Sequence, residues 1–156
     1  VSIPQDVANR LDAELREAMK SRDELKVSVV RMIKASLKNK AIEKMSPLTD
    51  EDVLSALSSL AKQRRESIEQ FAAGGRTELA EKEKKELEII QTYLPKQLSS
   101  EELDEIIKSA INEAGASSPN DMGKVMKIAT PKTKGAADGR VVSQRVKELL
   151  SALTAR

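Results

Sequence analysis

An all-α fold is predicted by three features of the sequence. Apolar residues recur at the three-and-four spacing of amphipathic helices, and no stretch of convincing length alternates apolar and polar residues as a half-buried strand would. Phe71 and Tyr93 are the only aromatic residues among 156. The core must therefore come from Leu, Ile, Val, Met and Ala, whereas sheets usually draw on more aromatic side chains. The expected architecture is an N-terminal helical domain of about four helices, residues 1–94, followed by a small C-terminal three-helix bundle, residues 95–156.

The first helix is expected to begin near Pro4, with Ser2 as cap and Gln5 as its reciprocal partner. Val7, Leu11, Leu15 and Ala18 form its apolar stripe. Ser21 and Asp23 allow a turn. The second helix is expected from about Asp23 to Lys44, with Val30, Ile33, Leu37 and Ala41 inward. Arg31, Lys34 and Lys38 stack beside that face, because residues three and four apart are neighbours on a helix. After the turn MSPL, the Thr49 hydroxyl can cap a third helix whose first turn is Asp50, Glu51 and Asp52. Val53, Leu57, Leu60, Ile68 and Phe71 share its face, with Arg64 reaching outward along its stem. Gly74 or Gly75 can close the helix in the left-handed conformation. A fourth helix, about Thr77 to Tyr93, has Leu79, Leu87, Ile90 and Leu94 as its buried line. Its charged stretch EKEKKELE reads as solvated, Glu83 and Glu86 included.

Pro95 cannot continue that helix without strain, so the boundary falls in YLPKQLSSEEL. Ser99 and Glu102 form a capping-box pattern for a fifth helix, Ser100 to Ala114, ended by Gly115. Ser118 is the expected cap of a sixth helix, with Pro119 at its first position and Pro131 at its end. Lys132 and Lys134 then fall in the loop PKTKGAAD. Asp138 can cap a seventh helix carrying Val142, Val146, Leu149 and Leu153. Three helices this short bury a core only by packing together.

Composition removes several chemistries. The chain has no cysteine and no histidine. Cys- or His-ligated zinc, disulfides, and nucleophilic or acid–base chemistry through those residues are excluded. No cofactor is expected, no carboxylate is singled out as catalytic, and the chain is expected to be noncatalytic on its own. The segment VSIPQDVANRL has no basic stretch followed by an apolar run, so no signal peptide is expected. No run approaches the roughly 18 apolar residues of a membrane span. A cytoplasmic protein with no membrane partner is the expectation.

The formal charge is only +2, but it is unevenly placed. From Asp121 onward there are eight basic residues against three acids, whereas residues 94–120 hold two against five. A basic end of this kind can meet a polyanion. Lys124 and Lys127 lie three apart on the sixth helix, Lys132 and Lys134 follow, and Arg140 sits in the first turn of the seventh. A cation there opposes the helix dipole, while free backbone N–H groups beside Gly139 suit a phosphate. Arg145 extends the set, and Arg31, Lys34 and Lys38 form a weaker second cluster. With so few aromatic residues, base stacking is a poor candidate, so RNA would be held by shape and phosphate. The competing reading is a wet helix face. Lys62, Arg64 and Arg65 read as intrahelical partners of Glu66 and Glu69. GKVMK at Gly123 lacks the GxxxxGK[ST] pattern of a phosphate loop and no strand precedes it; Gly123 reads as a close-packing residue.

Three long segments in order carry a family resemblance. They are LDAELREAMKSRDELKVSVVRMIKASLKNKAIE from Leu11, LAKQRRESIEQFAAGGRTELAEKEKKELEIIQTYLPKQLSSEEL from Leu60, and DMGKVMKIATPKTKGAADGRVVSQRVKELL from Asp121. Over essentially its whole length the chain resembles the YqeY-like family, which is related to the tail domain of the B subunit of the glutamine-dependent aspartyl/glutamyl-tRNA amidotransferase. The resemblance implies the same two-part helical architecture and a tRNA-facing surface around Lys124, Lys127, Lys132, Lys134 and Arg140. Carbon–nitrogen ligase activity with glutamine as amido donor belongs, on this reading, to the larger enzyme, whose glutaminase and transamidase domains are absent here. The functions that follow are a noncatalytic module for tRNA or other structured RNA, or a protein–protein adaptor docking on a tRNA-modifying or synthetase assembly.

Overall fold

The computed structural model describes residues 2–155; Arg156, counted with the basic end, lies outside them. Among the described residues the chain is all-helical. The helices are α1 (Gln5–Lys20), α2 (Glu24–Lys44), α3 (Asp50–Ala73), α4 (Thr77–Gln91), α5 (Ser100–Ala114), α6 (Met122–Thr133) and α7 (Gly139–Thr154), with a one-turn 3-10 helix at Pro119–Asp121. No helix is long and apolar enough to cross a membrane. The chain divides into two compact units, residues 1–94 and 95–156.

In the first unit, α1 packs on α2 and α3 on α4, and α2 meets both α3 and α4. The stripes bury Leu11, Val30, Ile33, Leu37, Leu57, Leu60 and Ile90 in one core. Each such aliphatic side chain contributes about 2 kcal/mol on burial. Local chemistry sets the helix ends. Asp23 accepts a bond from the Lys26 N–H at 3.1 Å to start α2. Thr49 and Asp52 form a reciprocal capping box at α3. Gly75 turns the chain after α3 with φ +73°.

Three expectations for this unit need correction. Ser2 does not cap α1, whose N-cap is Pro4 with no side-chain bond; the Ser2 carbonyl instead accepts the Leu48 N–H at 2.9 Å. Leu79 is 40 % exposed, and its neighbour Ala80 is the buried residue. Arg64 turns inward rather than outward. Its Nε lies 2.8 Å from Glu86 and 3.3 Å from Glu83, so these glutamates are largely enclosed partners of α3 and not a solvated run.

In the second unit, α5, α6 and α7 pack pairwise around Leu103, Ile107, Ala110, Val125, Ala129, Val142, Val146 and Leu150. Ser99 and Glu102 form the capping box at α5, Gly115 takes φ +63°, and Asp138 accepts the Arg140 N–H at 3.2 Å. The segment before α5 is tied to the α6–α7 connection: the Leu98 N–H donates to the Ala136 carbonyl at 2.8 Å, and the Gln97 amide to that of Gly135 at 2.8 Å. Leu150, not Leu153, is the enclosed leucine of α7, Leu153 being 39 % exposed.

The sixth helix departs from expectation at both ends. Ser118 makes no capping bond and Pro119 opens a 3-10 turn instead. The Asp121 carboxylate accepts the Ser117 N–H at 3.0 Å in its place. Pro131 lies inside the last turn of α6 rather than ending it. Proline costs a helix its N–H bond, but near the C-terminus only two further residues follow. The buried Thr133 hydroxyl donates back to the Ala129 carbonyl at 2.9 Å. Lys132 is consequently helical and not in a loop.

Candidate nucleic-acid interface

The buried line of α6 is Val125, Ala129 and Thr133. Helical geometry turns Lys124 and Lys127 away from it, and both are exposed. Lys124 lies 3.8 Å from Asp121, whose carboxyl is held below its usual range chiefly by the Ser117 N–H. Among the described residues no carboxylate pairs with Lys127. A lysine pair this exposed contributes little to stability, so Lys124 can exchange Asp121 for a phosphate at small cost.

Lys132 reaches α5, where Glu113 lies 3.4 Å away with both side chains about half exposed. Lys134 is half-buried at the C-terminal boundary of α6. Arg140 is exposed in the first turn of α7. Lys147 is exposed seven residues on, a spacing that returns to the same face two turns later. That spacing was available in the sequence and puts Lys147 on the face of α7 that carries Arg140.

Arg145 is differently placed. Its guanidinium grips Asp104 of α5 through two bonds of 2.6 and 2.8 Å and donates to Glu148 at 2.9 Å. The paired geometry holds the Asp104 carboxyl below its usual range and the guanidinium firmly charged. Planar two-point pairing of this kind fixes orientation as well as charge. Arg145 is thus committed to the α5–α7 contact, while Lys127 meets no carboxylate among the described residues.

The second cluster lies in the first unit. Arg31 and Lys38 are exposed and, among the described residues, meet no carboxylate. Lys34 is bonded to Asp12 of α1, which lowers the Asp12 carboxyl pKa. Gly123 is not a packing glycine: a methyl group there would meet nothing within 4 Å. It leaves the start of α6 open beside Lys124.

Exposed ammonium groups with weak or no carboxylate partners attract a phosphate backbone. Contacts of that kind position a nucleic acid without reading its bases. A family model described as YqeY-like protein matches residues 8–150. A relative from Pyrenophora tritici-repentis, named altered inheritance of mitochondria protein 41, mitochondrial, is 32 % identical over 97 % of this chain and 85 % of its own. Proteins of the same name from Lachancea thermotolerans and Candida glabrata are each 36 % identical. They align over 73 % and 76 % of this chain, and over 62 % and 68 % of their own lengths. With a family match spanning both helical units, the chain belongs to the YqeY-like family.

Proposed function

We propose that this protein is a noncatalytic tRNA-binding accessory, related to the tRNA amidotransferases, which holds RNA by its phosphates on the outer faces of α6 and α7. The observation that carries the reading is the set Lys124, Lys127, Arg140 and Lys147, exposed on those helices, with Lys127 meeting no carboxylate among the described residues. The amidotransferase relation rests on the sequence resemblance. The compartment is one where tRNA is aminoacylated: the cytoplasm, or the mitochondrion to which the relatives' names refer.

The test is binding of the purified protein to bulk tRNA over a salt series, with double-stranded DNA as control. Saturable binding that prefers tRNA and weakens steeply with salt is expected, because displaced counterions drive such contacts. Lys127→Ala should lower the slope of log affinity against log salt by about 1 and weaken different tRNAs alike. Arg145→Lys, at a residue committed to Asp104, should reduce stability more than the salt slope. Affinity independent of salt, or no binding at low salt, would remove the reading.

A further inference from the structure

The first unit carries a surface of different chemistry at the turn between α1 and α2. Met19, on the last turn of α1, is 52 % exposed, and Val27 is half-buried near the start of α2. With Arg22, Glu24, Ser28 and Arg31 they line an open recess of about 590 Å³. Met19 and Val27 supply its apolar part, and its charged lining residues are two arginines and one glutamate, Glu24. Among the described residues neither arginine meets a carboxylate.

Arg22 also stands in a costly conformation. Its φ is +57°, a region that costs a residue other than glycine about 1 kcal/mol. The turn does not need an arginine: backbone bonds close it, from the Asp23 N–H to the Ala18 carbonyl at 2.9 Å and from the Arg22 N–H to that of Met19 at 3.3 Å. Glycine would make the same turn without strain. Met45 closes α2 in the same conformation, with φ +54°, so the strain belongs to helix closure, and what Arg22 adds at this recess is its charge.

A nucleic-acid backbone would use the arginines but leave Met19 and Val27 in water, and no aromatic ring lies there to stack a base. An acidic amphipathic helix uses both features. Such helices bind by laying an apolar face into a groove, the methionine thioether adapts to what enters, and rim charges fix orientation and speed encounter. We propose that the α1–α2 turn docks an acidic amphipathic helix of a protein partner, with an aliphatic side chain seated between Met19 and Val27 and carboxylates on Arg22 and Arg31. The proposal concerns the first unit and stands whether or not the second binds RNA.

The test uses the full chain, isotopically labelled, and a synthetic helical peptide about five turns long. The peptide carries leucines at three-and-four spacing flanked by glutamates; the control has lysine in place of every glutamate. The acidic peptide should shift amide resonances within residues 18–31, and the lysine version should not. Arg31→Glu should weaken the acidic peptide about tenfold. Arg22→Gly should weaken it while raising Tm, because the left-handed strain is relieved. Met19→Ser should weaken it with little change in Tm. The proposal is overturned if this segment does not respond, if both peptides act alike, or if affinity is unchanged in Arg31→Glu and Arg22→Gly. Bulk tRNA shifting these amides where the peptide does not would give the surface to RNA and equally overturn it.

Discussion

Arg64 is opposed by two carboxylates in a largely enclosed setting, its side chain 16 % exposed and those of Glu83 and Glu86 20 % and 13 %. One guanidinium cannot neutralise both. Burial, and then the neighbouring Glu86 charge, push the Glu83 carboxyl above its usual range. A raised folded-state pKa gives stability that is full below the ordinary value of 4.5 and lost as pH rises through the folded one. Glu83→Gln should therefore raise Tm at neutral pH, and the gain should fade below about pH 4.5. A variant less stable at pH 7 would show that Glu83 is an indispensable partner of Arg64. Arg64→Met leaves two enclosed carboxylates without their cation and should cost about 3 kcal/mol in denaturant unfolding. None of this was legible from the residues alone. The spacing of Glu83 and Glu86 shows a shared face, but their partner lies on the other arm of the α3–α4 hairpin. Local periodicity cannot show which arm faces which.

Helix ends were more legible, because a cap acts within three residues. Thr49 with Asp52 and Ser99 with Glu102 form the reciprocal pairs that their sequence patterns predict. Asp23 and Asp138 cap their helices in the same local way. The failures at Ser2 and Ser118 both lie beside a proline: at α1 the N-cap is Pro4, which has no side-chain acceptor to offer, and at Ser118 the chain enters Pro119 and a 3-10 turn with no side-chain cap. At α3 the cap carries a charge as well. Asp52 is bonded to Lys44 and to the Thr49 N–H, and its carboxyl pKa falls from 3.8 to about 2. A depressed folded pKa gives stability present above the ordinary value and lost as pH falls through the folded one. Asp52→Asn should thus lower Tm at pH 7, with the deficit shrinking as pH falls from 3.8 to about 2. Thr49→Ala removes the uncharged half of the box and should cost about 1 kcal/mol at either pH. A pH-independent deficit for Asp52→Asn would mean that its charge contributes nothing.

At the scale of the molecule, the two cores share no member: one is drawn from residues 3–94 and the other from residues 98–150. Helical spacing gave the all-α class and most members of each core, since a stripe repeats within its own helix. The available cations required packing as well as charge. Arg145 and Lys127 are equivalent in a list of basic residues, and only the position of Asp104 across α5 and α7 separates a committed guanidinium from an available ammonium. Separate cores also make a prediction about cooperativity. Ile107 is fully enclosed among α5, α6 and α7, and Ile107→Ala should cost about 3 kcal/mol. Local opening follows contiguous cooperative units, so faster amide exchange should spread through α5–α7 while α1–α4 keep their protection. Ile33→Ala, at an enclosed residue of α2, should give the converse. Acceleration of both units by either substitution would show that the chain unfolds as one, and an RNA-binding defect could then not be assigned to the second unit from mutations in its core.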